Sequence, residues 1–203
     1  MRSKLGFLLF NQFEDLDFFG PWEILSLWSQ QFNGPELFLI SEHTGQVSSI
    51  RGLSIQTTTT FEQCPTLDFL LVPGGQGTRK EVSNHTLINF IKRQALQAQH
   101  ILSVCTGAFL LQAAGLLENK HATTHWASIN RLREFPKVHV LESRFVRDNN
   151  IWTSAGVSAG IDLSLAFVAA IAGNETAGNI QLYAEYYPST IIYPTKQKLP
   201  NYL

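Results

Sequence analysis

Of the two cysteines, Cys64 and Cys105, the second stands where a thiol can do chemistry. The run His100-Ile101-Leu102-Ser103-Val104 before it reads as a buried strand, and Thr106 to Ala114 after it as a helix. A residue on a sharp strand-to-helix turn is pushed above the sheet with its side chain exposed. The first helical turn leaves unpaired N–H groups pointing the same way. Those groups and the helix dipole favour an anion, so Cys105 is expected to be partly thiolate and nucleophilic at neutral pH. The competing reading is a free cysteine packed as a small apolar residue. The Cys-x-Gly context favours the nucleophile, because a side chain at Gly107 would obstruct close helix–strand packing.

Three further groups qualify as partners. Pro73-Gly74-Gly75 follows an apolar run, and glycines there let backbone approach a ligand closely. An N–H from Gly75, with one from Thr106, is a candidate to hold charge formed on a substrate. Asp17 precedes Phe18-Phe19-Gly20-Pro21-Trp22. It is either a helix N-cap or a carboxyl among aromatic rings, whose burial would raise its pKa and let it deliver a proton near neutrality. Glu14 and Asp15 read as solvated loop charges. His125, in Thr123-Thr124-His125-Trp126, is either an imidazole partner of the thiol or a histidine bonded at a helix start. Cys64 and the other histidines have no partner pattern. No zinc-ligand spacing, phosphate loop or dinucleotide fingerprint occurs, so neither metal nor cofactor is expected.

The elements that must position these residues alternate. Lys4 to Phe10, Glu36 to Ser41, Asp68 to Val72 and His100 to Val104 read as strands. Helical spacing marks Phe18 to Gln31, with Gly20-Pro21 in or near its first turn, and Lys80 to Ala98. It also marks Thr123 to Phe135, Val157 to Ala172, and Glu175 to Tyr186. Gln46 to Thr60 suggests a hairpin, and Asn149-Asn150 a turn between the short strands Arg144-Phe145-Val146 and Ile151-Trp152-Thr153. Strands separated by helices imply a three-layer α/β/α sandwich with a mostly parallel sheet, whose ligands lie at the carboxyl ends of the strands. No repeat or linker interrupts the 203 residues, and one domain is expected, with its core at about 4–188.

Composition narrows the partners. A net charge of −1 argues against nucleic acid, and no run of like charges suggests an anionic membrane surface. Arg2, Lys4 and the apolar run to Phe10 imitate the start of a signal peptide. That run stops at Asn11 and acids follow, so a buried first strand is the expectation. Two cysteines without a disulfide framework suit a reducing compartment, and a cytoplasmic location is expected. Charged residues make up only 15%, so some surface is expected to be neutral or covered by a partner subunit.

Leu16-Asp17-x-x-Gly20-Pro21-x-Glu23, Val72-Pro73-Gly74-Gly75, Ser103-Val104-Cys105-Thr106-Gly107-Ala108 and Ala122-Thr123-Thr124-His125-Trp126 resemble the ThiJ/PfpI superfamily. Thr153 to Asp162 and Ile180 to Pro188 resemble its isonitrile hydratase subfamily, with departures at Ala155 and Tyr187. The resemblance implies a class I glutamine amidotransferase-like, flavodoxin-like fold, a cysteine nucleophile at Cys105, an acid at Asp17 and a helping hydroxyl at Thr106. Protease-like members of the superfamily often have histidine directly after the cysteine. Thr106 stands there instead, as in hydratase-like members, which makes His125 a pocket residue rather than a triad member. It also implies a homodimer, consistent with the low charge content.

The reading that results is a cofactor-free hydro-lyase that converts a small isonitrile to an N-substituted formamide through a Cys105 thioimidate. Phe18, Trp22, His125 and Trp126 are expected to line a mainly apolar pocket. Two alternatives use the same thiol: a glyoxalase-type or deglycase-type enzyme of reactive carbonyls, and a non-catalytic thiol sensor. The sensor reading draws on the ligand domain of AraC-type regulators, whose helix-turn-helix region is expected to be lacking here.

Overall fold

The computed structural model describes residues 2–188 and Tyr202. The chain runs β1 (Lys4–Leu8), α1 (Asp15–Gln31), β2 (Glu36–Ser41), β3 (Gly45–Ser48), β4 (Ser54–Thr57), β5 (Thr59–Thr60) and β6 (Phe69–Val72). It continues through α2 (Thr78–Glu81), α3 (His85–Ala95), β7 (His100–Val104), α4 (Gly107–Ala113), β8 (Lys120–Ala122), α5 (Ile129–Arg133) and β9 (Val138–Val140). The last elements are β10 (Phe145–Asp148), β11 (Ile151–Ser154), α6 (Ala159–Ala172) and α7 (Asn174–Tyr183).

The main sheet has the order β10-β11-β7-β6-β1-β2-β5, and every pairing in it is parallel except the β10–β11 hairpin. β6 is buried at every position and β7 at all but the first, as expected of strands covered on both faces. Helices α1, α6 and α7 pack together on one side, and α4 with α2 and α3 on the other. Phe167 of α6 sets its ring edge against Phe69 at 5.1 Å and Trp152 at 5.7 Å, closing one of these layers onto the sheet. From β1 the chain moves outward to β2 and β5, then returns to β6 and β7 on the opposite side. The carboxyl ends of β1, β6 and β7 therefore meet at the crevice where such sheets bind ligands.

The hairpin expected within Gln46 to Thr60 is β3–β4, and Asn149, at φ 56°, makes the tight turn between β10 and β11. Three expected helices differ. The first begins at Asp15, so Asp17 lies inside its opening turn and Pro21 in its second. The helix expected over Lys80 to Ala98 is broken in two. Asn84 interrupts it and caps α3, its side chain accepting from the N–H groups of Thr86 and Leu87. Within Thr123 to Phe135 only a 3-10 turn at Trp126–Ser128 and α5 are helical. Thr123 and Thr124 serve tertiary bonds instead: the Thr123 N–H donates to Thr153 Oγ1 at 2.8 Å, and Thr124 Oγ1 to the Cys105 carbonyl at 2.7 Å. Among the described residues no helix is long and apolar enough to cross a membrane.

Candidate active site

Cys105 occupies the turn between β7 and α4 with φ 58°, a left-handed backbone that is rare for a residue with a Cβ. The surroundings hold it there. Its N–H donates to the carbonyls of Ser154 and Ala155, both at 3.1 Å, and its carbonyl accepts from Thr124 Oγ1. The side chain is not exposed as expected, since only 6% of the residue is accessible.

Asp17 lies fully buried beneath it. Its Oδ2 accepts from the Gly74 N–H and its Oδ1 from the Val157 N–H, each at 2.9 Å, and the carboxyl also hydrogen-bonds the Cys105 thiol. The loops after β1 and β6 are clasped together by the Glu14 N–H donating to the Gly74 carbonyl at 2.9 Å. Gly74 has to be glycine. A Cβ there would stand 2.5 Å from the Thr106 nitrogen and 2.8 Å from Asp17 Oδ2.

Burial raises the Asp17 pKa from 3.8 to about 7, although the hydrogen bonds from Val157 and Gly74 oppose the rise. Asp17 is thus placed to exchange a proton near neutrality. The expectation of a resting thiolate is corrected. Burial, then the Asp17 charge, push the Cys105 pKa well above 9.0, against hydrogen bonds from the Thr106 backbone and hydroxyl that lower it. The helix start is outweighed because the sulfur is out of water beside a carboxyl.

The two glycine N–H groups are also not free, which corrects the expected anion hole. Gly74 donates to Asp17, and Gly75 donates to Thr106 Oγ1 at 2.9 Å. Thr78, buried to 1% exposure, completes this cluster, with its hydroxyl 2.7 Å from the Gly75 carbonyl and 3.2 Å from Thr106 Oγ1. The Thr106 N–H, directed at the sulfur, is the backbone donor that remains.

Above the sulfur lies a cavity of about 260 Å³. Cys105, Thr106, Gly75 and His125 line it as expected, together with Glu14, Ile50, Gln76, Arg79, Ala127, Ser128 and Val157. The expected aromatic lining is corrected. Phe18 is core, Trp22 packs on Phe7 and Phe18 at ring distances of 5.2 and 5.5 Å, and Trp126 is largely exposed outside the lining. The wall is mainly apolar as expected, but its apolar part comes from Ile50, Ala127 and Val157 rather than from the aromatic run after Asp17. Glu14 and Asp15 are not solvated loop charges either: both pair with Arg51, and their side chains are only 15% and 16% exposed.

His125 stands beside the thiol without forming a thiolate–imidazolium pair. Its Nδ1 accepts from the Ala127 N–H at 3.3 Å, and burial lowers its pKa, so the ring is neutral with its proton on Nε2. Glu14, Arg79 and Val157 were not legible as site residues. Their places depend on how the loops after β1, β6 and β11 converge.

Residues 3–170 match the DJ-1/PfpI family. The chain belongs to that family. Isonitrile hydratase of Pseudomonas putida is 41% identical over 189 residues, covering 93% of this chain and 81% of that protein. The HTH-type transcriptional regulator GbdR of Pseudomonas aeruginosa is 31% identical over 88% of this chain, which spans about half of the regulator's length (49%). The crystal structure of a ThiJ/PfpI family protein from Pseudomonas syringae superposes with a TM-score of 0.88 at 33% identity, over 95% of this chain and 78% of that one. The DJ-1/PfpI fold is thus shared with relatives of different kinds, and chemistry has to be argued from the site.

Proposed function

We propose that this DJ-1/PfpI protein is a hydratase that adds water to an isonitrile, with Cys105 as nucleophile and Asp17 as the group that moves protons. The observation that carries the reading is Asp17 itself. It is a buried carboxyl with a pKa of about 7, hydrogen-bonded to a thiol that is neutral at that pH. Such a pair suits a substrate that needs a proton on carbon at the moment sulfur attacks it. Similarity to the Pseudomonas putida isonitrile hydratase supports the substrate class.

The steps follow from the protonation states. Ionised Asp17 takes the S–H proton as Sγ bonds to the terminal isonitrile carbon. The same proton passes to that carbon, giving R–N=CH–S–Cys105. Water, positioned by Asp17 and Thr106, then adds to the carbon. Asp17 takes a proton from that water and passes it to the substrate nitrogen, giving R–NH–CH(OH)–S–Cys105. The C–S bond breaks as the remaining hydroxyl proton returns through Asp17 to sulfur, releasing R–NH–CHO and the neutral thiol. The Thr106 N–H and hydroxyl stabilise charge on sulfur as it attacks and leaves.

The test is incubation with a panel of isonitriles and 2-oxoaldehydes, followed by proton NMR. N-substituted formamide formed in many equivalents per chain is the expected result. Formation of 2-hydroxy acid without formamide would establish the carbonyl enzyme instead, and one equivalent of modified Cys105 without turnover the sensor. Full turnover by Cys105→Ala would remove the thiol from the mechanism.

A further inference from the structure

Among the described residues, the cavity above Cys105 has one cation on its wall that no carboxylate balances. Four ionisable groups among the described residues line it: Cys105, His125, Glu14 and Arg79. His125 is neutral, for the reasons given above. Glu14 is bound to Arg51, which also reaches Asp15 Oδ2 at 3.3 Å. Arg79 is exposed, has no carboxylate within salt-bridge distance among the described residues, and donates through Nη1 to the Gln76 side-chain oxygen. Gln76 lines the same cavity.

Arg79 is also not on a drifting surface segment. It follows Thr78, whose hydroxyl lies 2.7 Å from the Gly75 carbonyl and 3.2 Å from Thr106 Oγ1. The turn that carries the guanidinium is therefore tied to the residue next to Cys105. A planar guanidinium has five N–H donors, and the Gln76 amide adds two more, a set that matches the two oxygens of a carboxylate. At about 260 Å³ the cavity is below the size usual for drug-like ligands, so the molecule it holds is small.

We propose that the substrate of this site carries a carboxylate, which Arg79 and Gln76 hold at the pocket mouth while its electrophilic carbon faces Cys105. Resting on the isonitrile reading, the substrate class is then a short isocyano carboxylic acid.

Two measurements keep the proposal separate from that reading. In the first, Cys105 alkylation by iodoacetate and by iodoacetamide is followed by mass spectrometry in the wild type, Arg79→Gln and Arg79→Lys. The iodoacetate-to-iodoacetamide rate ratio is expected to fall roughly tenfold in Arg79→Gln, to be largely kept in Arg79→Lys, and to shrink with added salt. In the second, kcat/KM is compared for isocyanoacetate and its methyl ester. The wild type is expected to prefer the acid by roughly tenfold or more, and Arg79→Gln to lose that preference. An alkylation ratio that Arg79→Gln leaves in place overturns the proposal, as does equal use of acid and ester by the wild type. If neither isonitrile is turned over while the alkylation ratio falls as expected, the hydratase reading fails and the anion receptor stands.

Discussion

Val157 and Asp17 are separated by 140 positions in the chain, yet the Val157 N–H donates to Asp17 Oδ1 at 2.9 Å. With Gly74 on the other oxygen, the carboxyl is held between two loops that share no local sequence. Two such bonds favour the charged form, but full burial outweighs them and leaves the pKa near 7. The acid is thus fixed in orientation and still able to exchange a proton at working pH.

Asp17→Asn keeps the shape and removes the proposed proton carrier. kcat is expected to fall by roughly 10²- to 10⁴-fold, the usual range for general acid–base catalysis. The Cys105 thiol should simultaneously become easier to ionise, because the Asp17 charge that pushes its pKa up is gone. The check is the pH profile of iodoacetamide alkylation at Cys105, whose inflection should move to lower pH as turnover collapses.

Stability should fall as pH rises through the Asp17 titration. The folded pKa of about 7 lies above the ordinary 3.8, so between these values the folded chain binds more protons than the unfolded one. This contribution is fully present below pH 3.8 and is lost as pH climbs to about 7, a span of about 4 kcal/mol. Urea unfolding of the wild type and Asp17→Asn at pH 5 and pH 8 tests the sign. The wild type should lose more stability than the variant on going to pH 8. On the same grounds the acid limb of kcat/KM, which needs ionised Asp17, should have its midpoint near pH 7.

Gly156→Ala should close the site without harming the core. A Cβ at 156 would lie 2.1 Å from His125 Cδ2 and 3.2 Å from Cys105 Sγ. The ring must move into the cavity, and both turnover and the alkylation rate of Cys105 are expected to drop roughly tenfold or more by steric exclusion.

Thr106→Val leaves the half-buried Gly75 N–H without its Oγ1 acceptor; a fully buried unmet donor costs about 1–3 kcal/mol, so a loss at or below the low end of that range is expected. Thr106→Ser keeps the acceptor. Thermal melts should rank the wild type and Thr106→Ser above Thr106→Val, and kcat should follow the same order.

Asn84→Ala provides a contrast far from the thiol. It removes the cap of α3 and the amide that bridges Glu42 and Glu81 at 2.9 and 2.7 Å. A loss of about 1–2 kcal/mol in unfolding free energy is expected, with kcat for the proposed hydration unchanged.

Much of the sheet was legible because parallel strands covered on both faces are written as short, nearly continuous apolar runs such as Phe69 to Val72 and His100 to Val104. Cys105 was legible for the same reason, standing where one such run gives way to a helix. The break at Asn84 was not, because the amphipathic spacing continues through it and the cap wins only once its side chain accepts from Thr86 and Leu87. Nor was the strand ending at Ala122. It exists through pairing with Val138–Val140, a run that reads as a strand by itself but lies sixteen or more residues away in the chain.

The order of residue types along the chain by itself determined the α/β alternation, the thiol turn and the glycine loop after β6, and left Asp17 open between a helix cap and a buried acid. These depend on local periodicity and on a few side chains with strong backbone preferences. Only the tertiary structure decided the protonation of Cys105, the occupation of the Gly74 and Gly75 N–H groups, the withdrawal of Phe18 and Trp22 into the core, and the arrival of Arg79 at the pocket. Desolvation, hydrogen-bond partnership and shared cavity walls are properties of neighbours in space. Here those neighbours come from segments as far apart in the chain as Asp17 and Val157.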